Sequence, residues 1–397
     1  MNIAVAQSGG PTVAINASLM GVFKQALASD KIDTIFGAIN GIEGVLNDNF
    51  VVLNDRVKTD EDVALIKQTP STVLGSCRFK LPDYSKDSVP YETIHNRFKE
   101  KGIGAFFYIG GNDSMDTVAK LSAYFKEIGS DIAVMGVPKT IDNDLCFTDH
   151  TPGFGSAAKF LLTTLKEITR DSSVYDLESV TIVEIMGRNA GWLAASSAVL
   201  HKFGEASPHL VYLPECEFSV DEFVEDLKVE IKKHKVVIVA VSEGVSLGEE
   251  NLEIVDAFGH KDLAGVGKKL EKIVKQRVGC KVRSIELNVL QRCSSHIASK
   301  CDIDEAEQIG SAAVSFMESG ETGKMVCFNR ESNSPYKISI TSVDAAEVAN
   351  KEKMFPREWI NKKCNNVLDD AIEYFMPLIE GETEVKYENG LPVHFKL

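Results

Sequence analysis

Short apolar runs alternate with stretches of helical periodicity over roughly the first 250 residues. The first helical stretch, for instance, spaces its apolar residues three or four positions apart between Ile15 and Phe23. Such alternation is typical of a parallel sheet whose strands are connected by helices. Six of the apolar runs are predicted as strands: Ile3–Gln7, Thr34–Ile39, Ala105–Ile109, Ile132–Val137, Val180–Ile185 and Val236–Val241.

The pattern changes after about residue 320. There, Met325–Asn329 and Tyr336–Ile340 are predicted as strands and Asn366–Leu378 as a closing helix. We therefore predict an α/β fold with two doubly wound, mostly parallel sheet domains and a C-terminal extension. The predicted domains cover residues 1–145 and 146–320, and the extension covers residues 321–397.

Polar, glycine-containing loops follow the predicted strands at the edge where parallel sheets bind ligands. Gly9-Gly10 follows the first strand and Gly110-Gly111 the third, and a helix begins after each pair. Glycines before a helix N-terminus let backbone N–H groups approach an anion closely, although such a pair is equally often only a tight turn. Neither loop has the spacing of a Walker A or a GxGxxG motif, which disfavours P-loop NTPases and Rossmann dehydrogenases.

The loop after the fourth strand concentrates ionisable groups in Lys139-Thr140-Ile141-Asp142-Asn143-Asp144. Taken alone, a network of Asx turns explains such a cluster equally well. Opposite two anion-binding loops, however, a carboxylate is favourable when it accepts a proton or holds a metal ion, and both roles are catalytic. This loop is therefore the strongest candidate for the reacting centre.

Arginines complete the candidate site. Four of them are predicted in or beside loops: Arg78, Arg188, Arg283 and Arg292. Any one of these is more typical of a surface ion pair, but the guanidinium fork suits phosphoryl oxygens. Glu243, after the sixth strand, is predicted either to accept hydrogen bonds from sugar hydroxyls or to cap the next helix.

The composition and net charge of the chain limit the classes of partner that it can bind. The chain has 397 residues, 44% hydrophobic and 25% charged, with a formal net charge of −15. This excludes nucleic acid as the main partner, because a phosphate backbone requires a basic face, but it leaves small phosphorylated ligands open. No apolar run approaches the roughly 20 residues of a membrane span. Eight scattered cysteines without a CxxC pair predict reduced thiols and a cytoplasmic protein.

These loops, in this order over about residues 1–310, resemble the phosphofructokinase family. The motifs that carry the resemblance are Gly9-Gly10, Gly75–Phe79, Gly110–Ser114, Thr140–Asp144, Met186–Arg188, Ser242–Gly244, Arg283 and Arg292. The resemblance implies a reversible phosphoryl transfer, with Mg²⁺ as cofactor, to the 1-hydroxyl of fructose 6-phosphate. It also implies that residues 1–145 hold the phosphoryl donor and residues 146–320 the sugar phosphate.

The resemblance also implies roles for individual residues, with Asp142 as the general base. The other residues that it implies for catalysis are Thr140, Lys139, Asp113 and Arg188. The implied donor site contains Gly9, Gly10, Arg78, Gly111 and Ser114. The implied sugar site contains Thr140, Ile141, Asp142, Met186, Gly187, Arg188, Glu243, Arg283 and Arg292. The implied Mg²⁺ ligands are Asn112, Asp113 and Asp144.

Two positions bear on the identity of the donor. Asp113 and Lys139 stand where ATP-dependent members carry glycine, and they resemble the pyrophosphate-dependent branch. A carboxylate adds bulk and negative charge where the α-phosphate of a nucleotide would lie, and lysine adds a cation beside the transferred group. Pyrophosphate and fructose 6-phosphate are therefore the predicted substrates. The alternatives are an ATP-dependent or dual-donor enzyme and a non-catalytic subunit that senses sugar phosphates.

The chain departs from the family pattern in three places, one of which is that Val289-Leu290-Gln291 precede Arg292 where relatives often have a histidine. Asn112 replaces an aspartate associated with magnesium in many relatives, and an amide oxygen is a poorer ligand for a hard cation. Ser179 replaces an arginine that reaches the sugar phosphate of a neighbouring subunit in bacterial ATP-dependent members, a role open here to Arg170 or Lys281. The resemblance further implies a homo-oligomer, either a dimer or a tetramer.

Overall fold

The computed structural model describes residues 1–248 and 265–397. Its strands are β1 (Asn2–Gln7), β2 (Ile35–Ala38), β3 (Phe50–Val52), β4 (Ile103–Gly110), β5 (Ala133–Pro138), β6 (Ser179–Ile185), β7 (Leu210–Tyr212), β8 (Val236–Ser242), β9 (Lys281–Glu286), β10 (Lys324–Asn333), β11 (Tyr336–Asp344), β12 (Tyr387–Glu388) and β13 (Leu391–Pro392). Its helices are α1 (Ile15–Leu27), α2 (Gly41–Leu46), α3 (Leu53–Arg56), α4 (Asp60–Gln68), α5 (Val89–Glu100), α6 (Asn112–Glu127), α7 (Phe154–Ser172), α8 (Trp192–Ser196), α9 (Val220–Ile231), α10 (Val266–Arg277), α11 (Lys300–Glu318), α12 (Ala345–Val348) and α13 (Asp369–Phe375).

The first sheet has seven strands within the described ranges, in the order β11-β10-β5-β4-β1-β2-β3. Its central strands β2, β1, β4, β5 and β10 run parallel, and β3 and β11 pair antiparallel at the two edges. Side chains of β1 alternate between two cores: Ile3 and Val5 face one, and Ala4 and Ala6 face the other. Both faces of this sheet are therefore covered, as a doubly wound sheet requires.

The second sheet consists of four parallel strands in the order β7-β8-β6-β9. In β6, Val183 and Ile185 pack against α7 and α8, whereas Val180 and Ile182 pack against α9 and α10. The predicted α/β class with two mostly parallel sheets is confirmed. The six strands predicted in the first 250 residues are all present, with ends within two residues of the predicted ones.

The C-terminal residues complete the first sheet. Strand β10 pairs parallel with β5, and β11 extends the same sheet as the antiparallel partner of β10. Helix α11 returns to pack on α1 where Gly310 meets Ser18; a Cβ atom on Gly310 would lie 2.1 Å from the Ser18 carbonyl oxygen. The domain boundaries near residues 145 and 320 stay a prediction, and the sheets group residues 324–344 with the first domain.

Residues 355–378 of the predicted extension lie over the second sheet, whereas residues 386–395 return to the end of α4 in the first domain. The closing helix is shorter than predicted, because α13 gives way to a 3₁₀ turn at Met376–Ile379. Phe375 and Phe355 pack with Trp192 in the core that covers β6 and β8. All eight cysteines are free thiols. Within the described ranges, no helix combines the length and the apolar character that crossing a membrane requires.

Candidate active site

A cavity of about 630 Å³ opens where the carboxyl ends of strands from both sheets meet. Loops after β1, β4 and β5 form one side, and loops after β6 and β8 form the other. The structure brings together most of the residues predicted from the sequence: Gly9, Gly10, Arg78, Gly111, Asn112, Asp113, Ser114, Lys139, Thr140, Ile141, Asp142, Asp144, Met186, Arg188, Glu243 and Arg292.

The two glycine loops converge on the N-terminus of α6. The Ser8 and Ser114 hydroxyl oxygens lie 2.5 Å apart, and a Cβ atom on Gly110 would lie 1.9 Å from Ser114 Oγ. Only glycine permits this approach of loop to helix. Gly9 adopts a φ of +73°, and its N–H donates to the Cys77 carbonyl. The loops thus place the electropositive end of a 16-residue helix at the cavity, a favourable position for an anion.

Lys139 is a buried cation between the glycine loops. Its side chain is 2% exposed, and its ammonium group donates to the Gly10 carbonyl oxygen at 2.6 Å. Burial lowers the pKa of Lys139 to about 8, because the attraction of Asp142 only partly offsets desolvation and the nearby Arg292 opposes the charge. The group is therefore mainly charged at neutral pH.

Asp142 lines the cavity from a loop that turns through Asn143 at a φ of +54°. Its N–H donates to Thr140 Oγ1 at 3.1 Å, and the Thr140 hydroxyl donates to its carboxylate at 3.4 Å. Desolvation raises the pKa of Asp142, whereas Thr140 and the positive charge of Arg188 oppose that shift. A carboxylate held among cations with a raised pKa is suited to accept a proton.

Two further carboxyl groups face the same cavity. Burial and the neighbouring Asp142 raise the pKa of Asp144 to about 7. Burial and Asp142 likewise raise the pKa of Glu243 to about 7, against the opposing charge of Arg188. These pKa shifts arise because three neighbouring carboxyl groups are buried together, so the ionised forms are poorly solvated and repel one another. Bound cations or hydrogen-bond donors would favour their ionised forms.

Arginines supply the opposite charge. Arg188, Arg292 and the exposed Arg78 line the cavity with Lys139. Desolvation lowers the pKa of Arg292, and repulsion from Arg78 adds to the shift. Cations that repel one another around an open cavity favour a ligand with several negative charges.

Four predicted residues have other environments than expected. Arg283 does not line the cavity: it lies in the middle of β9 instead of a loop, is exposed, and pairs with Asp171 at 3.3 Å. Gly187 is buried behind the wall, where its carbonyl accepts the Ser242 hydroxyl at 2.6 Å. Asp113 lines the cavity, but its carboxylate pairs with Lys80 at 2.9 Å.

Asn112 is the fourth. Its amide oxygen accepts from the Asn350 N–H at 2.6 Å, and its amide nitrogen donates to the Lys351 carbonyl. Both polar atoms are thus engaged by the backbone of the C-terminal segment. The structure gives this side chain anchoring contacts where the sequence predicted a metal ligand.

The sequence reasoning also missed residues that line the cavity. Lys80 could have been found, because it follows Arg78 by two positions in the same loop. Asn350 and Glu352 could not, because they lie in a segment without a post-strand glycine loop or a recognised motif. Their presence shows that the C-terminal segment contributes to the site.

A basic, carboxylate-bearing cavity between the carboxyl ends of two mostly parallel sheets suits an α/β enzyme that transfers phosphoryl groups. The chain belongs to the phosphofructokinase family, whose model, described as "Phosphofructokinase", matches residues 2–317. A "Pyrophosphate--fructose 6-phosphate 1-phosphotransferase" of Halomonas elongata is 37% identical over 403 residues, covering 100% of this chain and 96% of that protein. One of Methylococcus capsulatus with the same name is 35% identical over 404 residues, with the same coverage.

Solved structures agree with these relatives. The crystal structure of a pyrophosphate-dependent phosphofructokinase from Marinobacter aquaeolei matches with a TM-score of 0.89 and 35% identity, covering 100% of this chain and 95% of that one. A pyrophosphate-dependent phosphofructokinase from Nitrosospira multiformis matches with a TM-score of 0.90 at 35% identity, covering 100% and 96%.

Proposed function

We propose that the protein transfers a phosphoryl group reversibly from pyrophosphate to the 1-hydroxyl of fructose 6-phosphate, giving fructose 1,6-bisphosphate and phosphate. The observation that carries the proposal is the buried ammonium group of Lys139 between two glycine loops, beside Asp142. This arrangement offers a cation to a transferred phosphoryl group and a base to an attacking hydroxyl. The names of the full-length relatives at 35–37% identity support the same reaction.

The donor end of the cavity favours a short, highly charged donor. The Asp113–Lys80 ion pair spans the wall next to the first turn of α6. Asn350 lies against the same helix and donates through its side chain to Asp116. The α-phosphate of a nucleoside triphosphate would meet the carboxylate of Asp113, and like charges in contact cost several kcal/mol. Pyrophosphate avoids that contact.

The proposed mechanism uses this chain's own groups for positioning and proton transfer. Asp142 accepts the proton of the sugar 1-hydroxyl. The hydroxyl oxygen then attacks the phosphorus of pyrophosphate in line with the leaving phosphate. Lys139 and Arg188 stabilise the charge that develops on the phosphoryl oxygens. Glu243 and Arg292 orient the sugar phosphate, the first through its hydroxyl groups and the second through its phosphate. In the reverse direction Asp142 returns the proton.

The residues present fit a magnesium ion held jointly with substrate. Within residues 1–248 and 265–397, no three His, Cys, Asp or Glu side chains are grouped to hold a metal ion. Mg²⁺, however, is commonly held by one or two carboxylates together with substrate phosphates and water. Asp144 and Asp142 supply hard oxygen ligands at the cavity wall. The bound ion would neutralise part of the charge on pyrophosphate.

We propose further that the protein is a cytoplasmic homo-oligomer. Arg283 lies on β9, an edge strand of the second sheet, where a side chain 44% exposed can reach a neighbouring subunit. Of the alternatives suggested by the sequence, Lys281 lies on the same strand and Arg170 lies in the last turn of α7. We expect the protein to be a dimer or a tetramer in solution. We also expect Arg283→Ala to weaken the binding of the sugar phosphate.

Initial rates with pyrophosphate and with ATP test the donor. Wild type should turn over with pyrophosphate and much less with ATP. In Asp113→Gly, kcat/KM for ATP should rise at least ~10-fold, since ~1.4 kcal/mol of relieved repulsion corresponds to that factor. Asp221→Gly is the matched control, because Asp221 occupies the same first-turn position in α9, is exposed, and lies in the second domain.

Three outcomes separate the alternatives. Faster wild-type turnover with ATP than with pyrophosphate would identify an ATP-dependent enzyme, and similar rates a dual-donor enzyme. Sugar-phosphate binding without turnover with either donor would identify a regulatory subunit.

A separate variant, Asp142→Asn, should lower kcat by about 10²–10⁴-fold with little change in sugar affinity. Near-full turnover of that variant would contradict the assignment of the base.

A further inference from the structure

Four residues of the C-terminal segment, Asn350–Lys353, contact every side of the active site; we call them the strap. At one end, the Asn350 N–H donates to Asn112 at the start of α6. In the middle, Glu352 accepts the Asn189 side-chain amide at 2.6 Å, in the loop after β6. At the other end, the Lys353 N–H donates to the Asp144 carbonyl at 2.7 Å. The strap thus joins the donor side, the catalytic loop and the sugar side.

Lys353 ties the strap to the catalytic loop most extensively. Its ammonium group donates to the carbonyl oxygens of Thr148 at 3.0 Å and Asp149 at 2.7 Å, and lies 3.4 Å from the Asn143 side-chain oxygen. Its carbonyl accepts the Trp192 indole N–H at 2.8 Å, and its ammonium group lies 4.8 Å from the centre of that ring. A single side chain therefore contacts both the residue between Asp142 and Asp144 and the segment that follows them.

Helix α13 supports the same loop from the other direction. The Tyr374 hydroxyl accepts the Asn143 amide at 3.0 Å and donates to the Asp149 carbonyl at 2.7 Å. Asn143 is fully buried and has a positive φ, so its conformation depends on these partners. The residues on either side of Asn143 are the two carboxylates of the proposed mechanism. Neither Lys353 nor Tyr374 lines the cavity itself.

We propose that the strap sets the relative positions of the donor helix, the catalytic loop and the sugar loop, and that Lys353 is a positioning residue for Asp142 and Asp144. The proposal deepens the proposed function and rests on it. Phosphoryl transfer depends on in-line geometry, and a displacement of about 1 Å can cost about 10²-fold in rate. The strap supplies fixed hydrogen bonds at the three places where such a displacement would matter.

The first experiment compares Lys353→Met with Lys362→Met, which removes an exposed lysine from the same C-terminal segment. Lys353→Met should lower kcat by about 10²-fold, with much smaller changes in KM, because substrate contacts remain while the reacting groups shift. Lys353→Arg should restore part of kcat, because it retains a cation that donates several hydrogen bonds. Lys362→Met should behave as wild type. All rates are corrected for the folded fraction.

A spectroscopic measurement reports the strap without turnover. The chain has two tryptophans, Trp192 and Trp359, so Trp359→Phe leaves Trp192 as the single tryptophan, whose emission is read with excitation that tyrosine does not absorb. In that background, Lys353→Met should shift the emission of Trp192, whereas Lys362→Met should not. Unchanged emission together with kcat within twofold of wild type would overturn the proposal. A kcat loss that disappears after correction for the folded fraction would overturn it as well.

A second set of variants applies if Lys353→Met does not fold. Asn189→Ala and Glu352→Ala remove the two partners of one strap contact. Each should lower kcat, and the double variant should lose no more than the worse single variant. Fully additive losses would overturn the strap as a unit. Rates are measured with whichever donor wild type uses, so failure with pyrophosphate alone refutes the donor assignment and leaves the strap under test.

Discussion

Replacing Lys139 with methionine should abolish most activity without weakening the fold. Methionine resembles the lysine stem in length but carries no charge, so the change isolates the ammonium group. That group is 2% exposed, donates to the Gly10 carbonyl at 2.6 Å, and faces Asp142 and Arg292. The proposed function requires it only when charge develops on the transferred phosphoryl group. Its removal therefore acts on the transition state.

The structure provides a magnitude for each effect. Burial lowers the pKa of Lys139 from 10.5 to about 8, and each unit corresponds to about 1.4 kcal/mol, so keeping the group charged in the folded chain costs on the order of 3 kcal/mol. Methionine removes that cost but leaves the Gly10 carbonyl without its donor, a loss of about 1–3 kcal/mol. Stability should therefore be unchanged or higher by up to ~2 kcal/mol. Loss of one preorganised donor should lower kcat by about 10²–10³-fold.

Both quantities can be measured on the same preparation. Urea unfolding gives the free energy of unfolding, and steady-state rates with pyrophosphate give kcat. Because the pKa of Lys139 is lower in the folded than in the unfolded chain, wild-type stability should gain between pH 8 and 10.5, and the variant should lack that gain. Lys362→Met again serves as the control. A variant that loses several kcal/mol of stability, or retains more than a tenth of kcat, would refute the reasoning.

Three further predictions concern the ionisable groups of the cavity, the packing of α11 on α1, and the strap. The value of kcat/KM should fall at pH values below about 7, as Asp144 and Glu243 take up protons, and at pH values above about 8, as Lys139 loses its proton. Glu243→Gln should change the acidic side of this profile. Because the pKa values of Asp144 and Glu243 are raised in the folded chain, their protonation stabilises the fold as the pH falls from about 7. The circular dichroism spectrum should therefore stay unchanged while kcat/KM falls on the acidic side. Gly310→Ala should cost about 1–3 kcal/mol in urea unfolding, because its Cβ would overlap the facing helix. Asn112→Asp should lower kcat, because it removes the amide that donates to the strap. The Mg²⁺ concentration required for half-maximal activity should not decrease.

Much of the fold could be predicted from local pattern. A buried parallel strand such as β4 or β8 must be apolar on both faces, so it produces a continuous run that is visible without a structure. The ligand-binding loops follow from the same strands, because parallel connections place their carboxyl ends at one edge. Gly9-Gly10 and Lys139–Asp144 were therefore accessible from position and residue type. The prediction for Arg283 was wrong, because the sequence analysis placed this residue in or beside a loop, whereas it lies within β9.

The sequence by itself determined the class of fold, the motifs of the family and the group of ionisable residues that could carry phosphoryl transfer. Each depends on near neighbours along the chain or on a recurrent order of short motifs. Only the tertiary structure decided that β10 and β11 complete the first sheet, that Asn112 binds the strap, and that Lys353 supports the catalytic loop from more than 200 residues away. Such contacts form between segments that are distant in sequence and carry no local periodicity, so only the packed chain specifies them.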